Sequence, residues 1–404
     1  MVRLEEGAVF VPFVLPGEMV RLGPLLRRGK ALTAAGEVVA ASAERVAAPC
    51  VHFTDCGGCR LQHWADAPYR AWKRARVVAA LARAGFDAVE VAPLVAGAAG
   101  TRRRLDLAAR RGDGRRVTLG LHAARESRVV DLGECVIALP ALVALLGPLR
   151  EVLAGLPGFR LAADIQVNLL DTGPDVLIRA DGPLGTVERT RLAAFAEAHL
   201  VPRIAWAVGR EAPEIAVQLS RPVVAFGGVA VTPPPGAFLQ ASREAEAAIV
   251  GAVLAALAPK GAVLDLYAGV GTISLPMANG RVVTAVEGDA AACAALDAAS
   301  RLAGGRVRVV RRDLTRQPMM EGELRGFGTV VLDPPYGGAR EQVAALAAAG
   351  VRRVVMVSCN PDALARDAAV LRGAGYGCDS AVAIDAFLWG GDVETVAVFT
   401  RKSR

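Results

Sequence analysis

The second half of the chain carries the plainest hydrophobic pattern. From Arg243 onward, short Val- and Leu-rich runs alternate with longer apolar stretches of helical spacing. The runs predict strands at Ala262–Tyr267, Val282–Glu287, Val307–Arg311, Gly328–Asp333 and Arg353–Ser358, with helices near 243–258, 289–303, 340–349 and 361–373. A last pair, 380–387 and 393–400, reads as strands. Apolar strands separated by helices describe an α/β, doubly wound and mostly parallel sheet. Ligands on such sheets bind beyond the carboxyl ends of the strands.

The first half is patterned differently. Ala8–Val14, Met19–Leu22 and Ala34–Ala41 read as short strands punctuated by Gly and Pro, which suits a small β-barrel or part of one. A helix is predicted from Pro68 to Ala84, with Tyr69, Trp72, Val78 and Leu81 as its apolar stripe and Gly85 as its stop. Residues 101–135 contain a hairpin. Leu105, Leu107 and Ala109 alternate with polar neighbours, Gly112–Asp113–Gly114 turns, and Val117, Leu119 and Leu121 alternate back. Strand-like sequence continues to Val231 and ends at Pro233–Pro234–Pro235–Gly236. Three domains are expected: 1–45, a β-rich 46–235, and the α/β unit 236–404.

Composition narrows the class. Hydrophobic residues are 53% and charged residues 22% of 404, which is globular. No run is long enough to span a membrane. Glu5, Glu6, Pro12 and Pro16 argue against a signal peptide, so a cytoplasmic, monomeric enzyme without membrane attachment is expected. The net charge of +7 suits a polyanion such as RNA. It equally suits genomic bias: Lys30, Lys73, Lys260 and Lys402 are the only lysines, and the rest of the positive charge is Arg. Seven cysteines are an odd number and predict no disulfide framework.

The predicted strand ends concentrate acids and glycines. Asp265–Leu–Tyr267–Ala–Gly269–Val–Gly271 leaves the first strand for a helix, which lets a backbone approach a ligand closely. Glu287 ends the second strand, where an acid binds ribose hydroxyls, and Asp313 ends the third, placed to meet an adenine amino group. Asp333–Pro334–Pro335–Tyr336 ends the fourth. A full G-x-G-x-x-G is absent, which disfavours a dinucleotide. Cys359 lies between a strand and a helix that Asn360 caps and Pro361 begins, where the dipole favours a thiolate. Methylation of oxygen or nitrogen needs no cysteine. Methylation of uracil C5 does, because thiolate addition at C6 makes C5 nucleophilic. An amino-group methyltransferase, which would use the Asp-Pro-Pro-Tyr loop, leaves Cys359 without a role. Cys50-x5-Cys56-x2-Cys59 with distant Cys135 supplies only one close pair, which suits an iron–sulfur cluster better than structural zinc.

These residues resemble the RNA uracil-C5 methyltransferase family, in the branch that carries a four-iron (4Fe-4S) cluster. Phe238–Leu239–Gln240 resembles its cofactor motif, Asp265–Pro276 its glycine loop, Asp333–Ala339 its DPP loop, Ser358–Asp367 its nucleophile signature and Asp392–Glu394 its base motif. The resemblance implies a class I, Rossmann-like methyltransferase domain binding S-adenosylmethionine through Gln240, Tyr267, Glu287 and Asp333. It implies Cys359 as nucleophile, Glu394 as proton acceptor, and Cys50, Cys56, Cys59 and Cys135 as cluster ligands. Gly7–Glu18 resembles part of the TRAM barrel, an OB-like RNA-binding module. The implied partner is RNA, ribosomal RNA ahead of transfer RNA, and Arg102, Arg103, Arg104, Arg110, Arg111, Arg115 and Arg116 are candidates for its path. Tyr336, Ser242 and Asp392 depart from the family's usual Arg, Asn and His, and these departures alone support the other alternative, a non-catalytic RNA-binding protein that keeps a methyltransferase fold.

Overall fold

A computed structural model of the chain describes residues 2–4, 7–28, 31–114, 116–124 and 126–401. Glu5, Glu6, Lys30, Arg115 and Lys402 lie outside the described residues.

The second half folds as its periodicity predicts. A seven-stranded sheet runs in the spatial order Val307–Arg311, Val283–Glu287, Ala262–Leu266, Phe327–Leu332, Arg353–Ser358, Glu394–Arg401, Tyr376–Ile384. The first five are parallel, and Glu394–Arg401 pairs antiparallel with both of its neighbours. Strand order reverses between Ala262–Leu266 and Phe327–Leu332, which is where such sheets open a crevice. Helices Arg243–Ala256, Ala290–Leu302, Arg340–Ala349 and Pro361–Gly373 cover the faces. Val330, Val331, Val354 and Val355 at the centre are fully buried, as the all-apolar strand sequences require.

Helix Asp66–Arg83 comes from the first half but packs against Pro361–Gly373 of the second. Tyr69, Lys73, Val77, Ala80 and Leu81 form its buried face. It begins two residues ahead of the predicted Pro68, with Asp66 in the first turn and Arg83 in the last, both favoured by the helix dipole. Gly85 follows at φ 86°, which glycine adopts freely.

A second seven-stranded sheet has the order Glu214–Gln218, Arg203–Val208, Gly173–Ala180, Ala162–Leu170, Arg104–Arg111, Val117–His122, Val129–Asp131. The predicted hairpin is its centre. Two helices unforeseen in the sequence, Leu146–Ala154 and Thr186–Ala198, contribute to its core. The second supplies the crossover between the one parallel pair, Gly173–Ala180 and Arg203–Val208. At the N-terminus lie strands Val2–Leu4, Gly7–Phe10, Ala31–Thr33 and Leu26–Arg28 in one small sheet, with Met19–Leu22 and Gly36–Ala40 in another. Among the described residues, Val9, Val11 and Ala34 form their buried core. Arg45 braces the region, donating to both Glu18 carboxylate oxygens and to the Phe13 carbonyl. No helix among the described residues is long and apolar enough to cross a membrane.

Candidate active site

Register brings the site together. In the ladder, Leu266 pairs with Leu332, Leu332 with Met356, and Ser358 with Thr395. Tyr267 and Asp333 follow the first of these pairs, and Cys359 lies opposite Glu394 just past the last, so the four residues share one edge of the sheet. Glu394 reaches that edge from the opposite chain direction because its strand is antiparallel.

The first loop is shaped by its backbone. Tyr267, Gly269 and Gly271 have φ of 66°, 54° and 96°. A non-glycine residue there carries strain of about 1–3 kcal/mol that its surroundings must hold. At Gly271 only glycine fits, since a Cβ would lie 2.4 Å from Leu296 Cδ1. The Gly269 amide donates to Glu287 Oε2 at 2.8 Å, and the Asp289 amide to Glu287 Oε1 at 2.7 Å. Two backbone donors thus fix this carboxylate at the end of its strand and leave lone pairs for others.

Phe238, Gln240, Asp265, Tyr267, Gly269 and Asp333 line one cavity of about 340 Å³. Buried Gln240 donates through Nε2 to Asp333 Oδ2 at 3.3 Å. Burial pushes Asp333 up to about 6 despite that hydrogen bond. Asp265 accepts from the Ser274 hydroxyl, and its second oxygen is buried without a partner. Burial lifts Asp265 to about 7, with Asp333 and Glu287 adding to the rise. Asp265 was read from the sequence only as the start of the glycine loop; its place at a strand end before two glycines was the available signal.

Asp313 has a different setting. It is exposed and accepts the amides of Thr315 and Arg316 at 3.0 and 3.3 Å, closing the turn after its strand. It is not among the residues lining the cavity.

Cys359 is half-buried, and Asn360 caps the following helix through Oδ1, which accepts the Asp362 amide at 3.0 Å. The cap is as expected, yet the electrostatics reverse the expectation of a favoured thiolate. Burial, then Glu394, then Asp333 push the thiol up to about 12. Desolvation and two carboxyls outweigh the helix dipole. Glu394 is itself buried, with Oε1 unpartnered, and burial and Asp333 hold its carboxyl well above the usual range.

The three departures all have structural partners. Ser242 caps helix Arg243–Ala256, its Oγ accepting the Ala245 amide at 3.1 Å. The Tyr336 hydroxyl donates to Asp392 Oδ1 at 3.3 Å, so two departures contact each other. Asn360 Nδ2 donates to the Tyr336 carbonyl at 3.0 Å, joining that loop to the Cys359 segment.

Away from this edge, Cys50, Cys56, Cys59 and Cys135 line one pocket of about 360 Å³. The Gly57 amide donates to the His122 carbonyl at 2.9 Å, and Gln62 Oε1 accepts the Cys50 amide at 3.2 Å. Burial raises the Cys56 thiol, and raises Cys59 to about 11. Four thiols around an apolar pocket suit a ligand that binds them as thiolates. Among the described residues, no three His, Cys, Asp or Glu side chains come together as ligands of a single metal ion. His63 packs in a three-ring cluster with Phe13 and Phe53, and burial lowers it to about 4.

The arginine path needs correction. Arg103 is 1% exposed and ion-paired with Glu246, with Nε on the Gln240 carbonyl at 3.1 Å. Arg111 donates to the carbonyls of Leu153, Ala154, Leu156 and Phe159. Alternation along the strand turns Arg103 inward, and backbone acceptors claim Arg111. Neither is a free surface cation.

The sheet order and the strand-end site define a class I methyltransferase fold. The family model described as conserved hypothetical protein 95 matches residues 244–362. An uncharacterized RNA methyltransferase of Brucella suis is 44% identical over 99% of this chain and 94% of its own. The 23S rRNA (uracil(1939)-C(5))-methyltransferase of Halomonas elongata is 36% identical over 92% of this chain and 80% of its own. Among solved structures, the Pyrococcus abyssi tRNA (uracil-54, C5)-methyltransferase in complex with S-adenosyl-L-homocysteine superposes with a TM-score of 0.75. It shares 23% identity and covers 98% of this chain and 96% of that one. The chain belongs to the RNA uracil-C5 methyltransferase family and is an RNA methyltransferase.

Proposed function

We propose that the enzyme methylates C5 of a uridine in RNA, 23S rRNA ahead of tRNA, through a covalent bond between Cys359 and C6. The observation that carries this reading is the ladder register that sets Cys359 beside Glu394, with Asp333 at the adjacent strand end. Gln240, Tyr267, Glu287 and Asp333 are the residues we assign to S-adenosylmethionine, which supplies the electrophilic methyl group. The unpartnered Asp265 oxygen and the left-handed glycines beside the cavity fit such a ligand. Asp313 adjoins them from the third strand end, as an adenine contact.

Cys359, as the thiolate, bonds through Sγ to C6, and the electron pair of the C5–C6 double bond makes C5 a nucleophile for the methyl group. Glu394 then takes the C5 proton, the double bond re-forms and the Sγ–C6 bond breaks. The uridine must be unpaired or flipped to meet residues at a sheet edge. RNA bearing 5-fluorouridine tests the scheme. It should be methylated once and remain attached as a gel-stable adduct, dependent on the cofactor and abolished in Cys359→Ala. Full turnover by Cys359→Ala would remove the covalent reading.

We read Cys50, Cys56, Cys59 and Cys135 as ligands of a 4Fe-4S cluster, because three cysteines from one short loop and a fourth from far along the sequence line one apolar pocket. Anaerobically purified protein should hold iron and sulfide in matching amounts, and Cys56→Ser or Cys135→Ser should lose both. One zinc without sulfide would overturn the assignment. We divide the chain at about residues 45 and 235 into a partial barrel, a β-rich middle and the catalytic unit.

A further inference from the structure

Glu394 begins its strand immediately after a loop, Asp385–Val393, that connects the last two strands. The loop contains Gly390 and Gly391 together, and Trp389 within it has φ 54°, a strained value for a bulky residue. Nothing in its own sequence makes it rigid. The ladder pair Ile384–Glu394 closes its ends and the Asp385 amide donates to the Val95 carbonyl, while helix Asp66–Arg83, more than three hundred positions away along the chain, adds a buried anchor inside it.

Lys73 on that helix is fully buried. Its ammonium donates to Asp385 Oδ1 at 2.7 Å, to the Phe387 carbonyl at 3.0 Å and to the Asp392 carbonyl. Those three acceptors lie at the start, the middle and the end of the loop. An ammonium has three donors arranged about one point, so the match is complete, whereas a planar guanidinium cannot serve three oxygens in that way. This accounts for a lysine here, in a chain whose cations are otherwise almost all arginine. One turn earlier, the Tyr69 hydroxyl donates to Asp385 Oδ2 at 2.7 Å and accepts the Trp389 amide at 2.8 Å. The amides of Arg60 and Leu61, beside the cysteine loop, donate to the Trp389 carbonyl at 2.8 and 3.0 Å.

We propose that Lys73 is a positioning residue for the proton acceptor: its ammonium ties Asp385, Phe387 and Asp392 to one point beyond the ladder pair Ile384–Glu394 and so holds Glu394 against the substrate carbon, with Tyr69 as second anchor. The proposal rests on the covalent reading and deepens it. Proton removal by Glu394 is the step after methyl transfer, so loosening the loop slows release of the enzyme from methylated RNA and spares formation of the adduct.

Lys73→Met keeps the length and apolar stem but removes all three donors. Tyr69→Phe removes two hydrogen bonds and keeps the packing. On ordinary RNA with labelled cofactor, Lys73→Met should accumulate a covalent methylated adduct. Its release should slow by about 10²-fold, the cost of displacing a reacting group by about 1 Å. Tyr69→Phe should shift the same step in the same direction by less. On 5-fluorouridine RNA both variants should form adduct at close to the wild-type rate. Equal losses in adduct formation and release, or wild-type release in both variants, overturns the proposal. If Lys73→Met does not fold, Tyr69→Phe decides alone, and its wild-type release counts against the proposal. Failure of the wild-type enzyme itself to form adduct on 5-fluorouridine RNA instead refutes the covalent reading beneath it.

Discussion

The free enzyme should keep its nucleophile protonated, and this is measurable without any RNA. Burial and the carboxyls of Glu394 and Asp333 raise the Cys359 thiol to about 12. At pH 8 that leaves a thiolate fraction of about 10⁻⁴, against about a quarter for an ordinary cysteine near 8.5. The sign follows from charge: a thiol is neutral when protonated, so desolvation and nearby negative charge both favour the protonated form. Alkylation of Cys359 by iodoacetamide, followed by mass spectrometry of the peptide that contains it, should rise about tenfold per pH unit and show no plateau below about pH 10. Glu394→Gln removes one carboxyl and should speed alkylation by about tenfold or more at fixed pH, since a neighbouring like charge shifts such groups by a unit or more. A plateau near pH 8 to 9 in the wild-type protein, or no response to Glu394→Gln, would refute the argument that these carboxyls govern the thiol.

Other consequences follow from the same structure. Glu287→Ala should weaken S-adenosylmethionine binding in calorimetry while leaving the circular dichroism spectrum intact, and unchanged affinity removes Glu287 from the site. Asp265 and Asp333, raised to about 7 and about 6, hold protons near neutral pH. A cationic sulfonium nearby favours their ionised forms, so binding at about pH 6.5 should release protons, and S-adenosylhomocysteine, with its neutral sulfur, should release fewer. Calorimetry in buffers of different ionisation enthalpy reads this directly, and equal release by the two ligands contradicts it. Glu246→Gln strands the charge of Arg103 in a buried place and should destabilise the fold by about 3 kcal/mol in urea. An unchanged urea midpoint would mean that the pair is not what holds Arg103.

The second half was legible because its central strands are buried on both faces and its helices are long. Val307–Arg311 and Arg353–Ser358 lie where the periodicity put them, and helices 340–349 and 361–373 do as well. The middle of the chain was harder. Thr186–Ala198 buries Glu188 alongside Leu192, Phe195 and Ala196, so its apolar stripe is interrupted by a charge. That charge is satisfied only in three dimensions, by the Gly158 and Gly185 amides at 2.6 and 3.0 Å. At the N-terminus, strands as short as Val2–Leu4 and Leu26–Arg28 hold too few residues to show an alternation.

Residue identities at the site were legible; their electrostatics were not. A cysteine before a helix reads as a thiolate, because the sequence shows the helix and hides the neighbours. The carboxyls that oppose ionisation come from Asp333 and Glu394, which only the sheet order brings beside Cys359. Lys73 shows the same limit. In one dimension it is a lysine on an amphipathic helix, whose charge would ordinarily face water. Its three acceptors lie beyond position 384, so no local pattern distinguishes it. Rarity does not single it out either, since Lys30, Lys260 and Lys402 are lysines too. Read this way, Lys73 and Cys359 pose one problem from two sides. The edge of the sheet gathers carboxyls that hold the Cys359 thiol protonated, and in the scheme proposed above a buried cation keeps one of those carboxyls where the later proton transfer requires it.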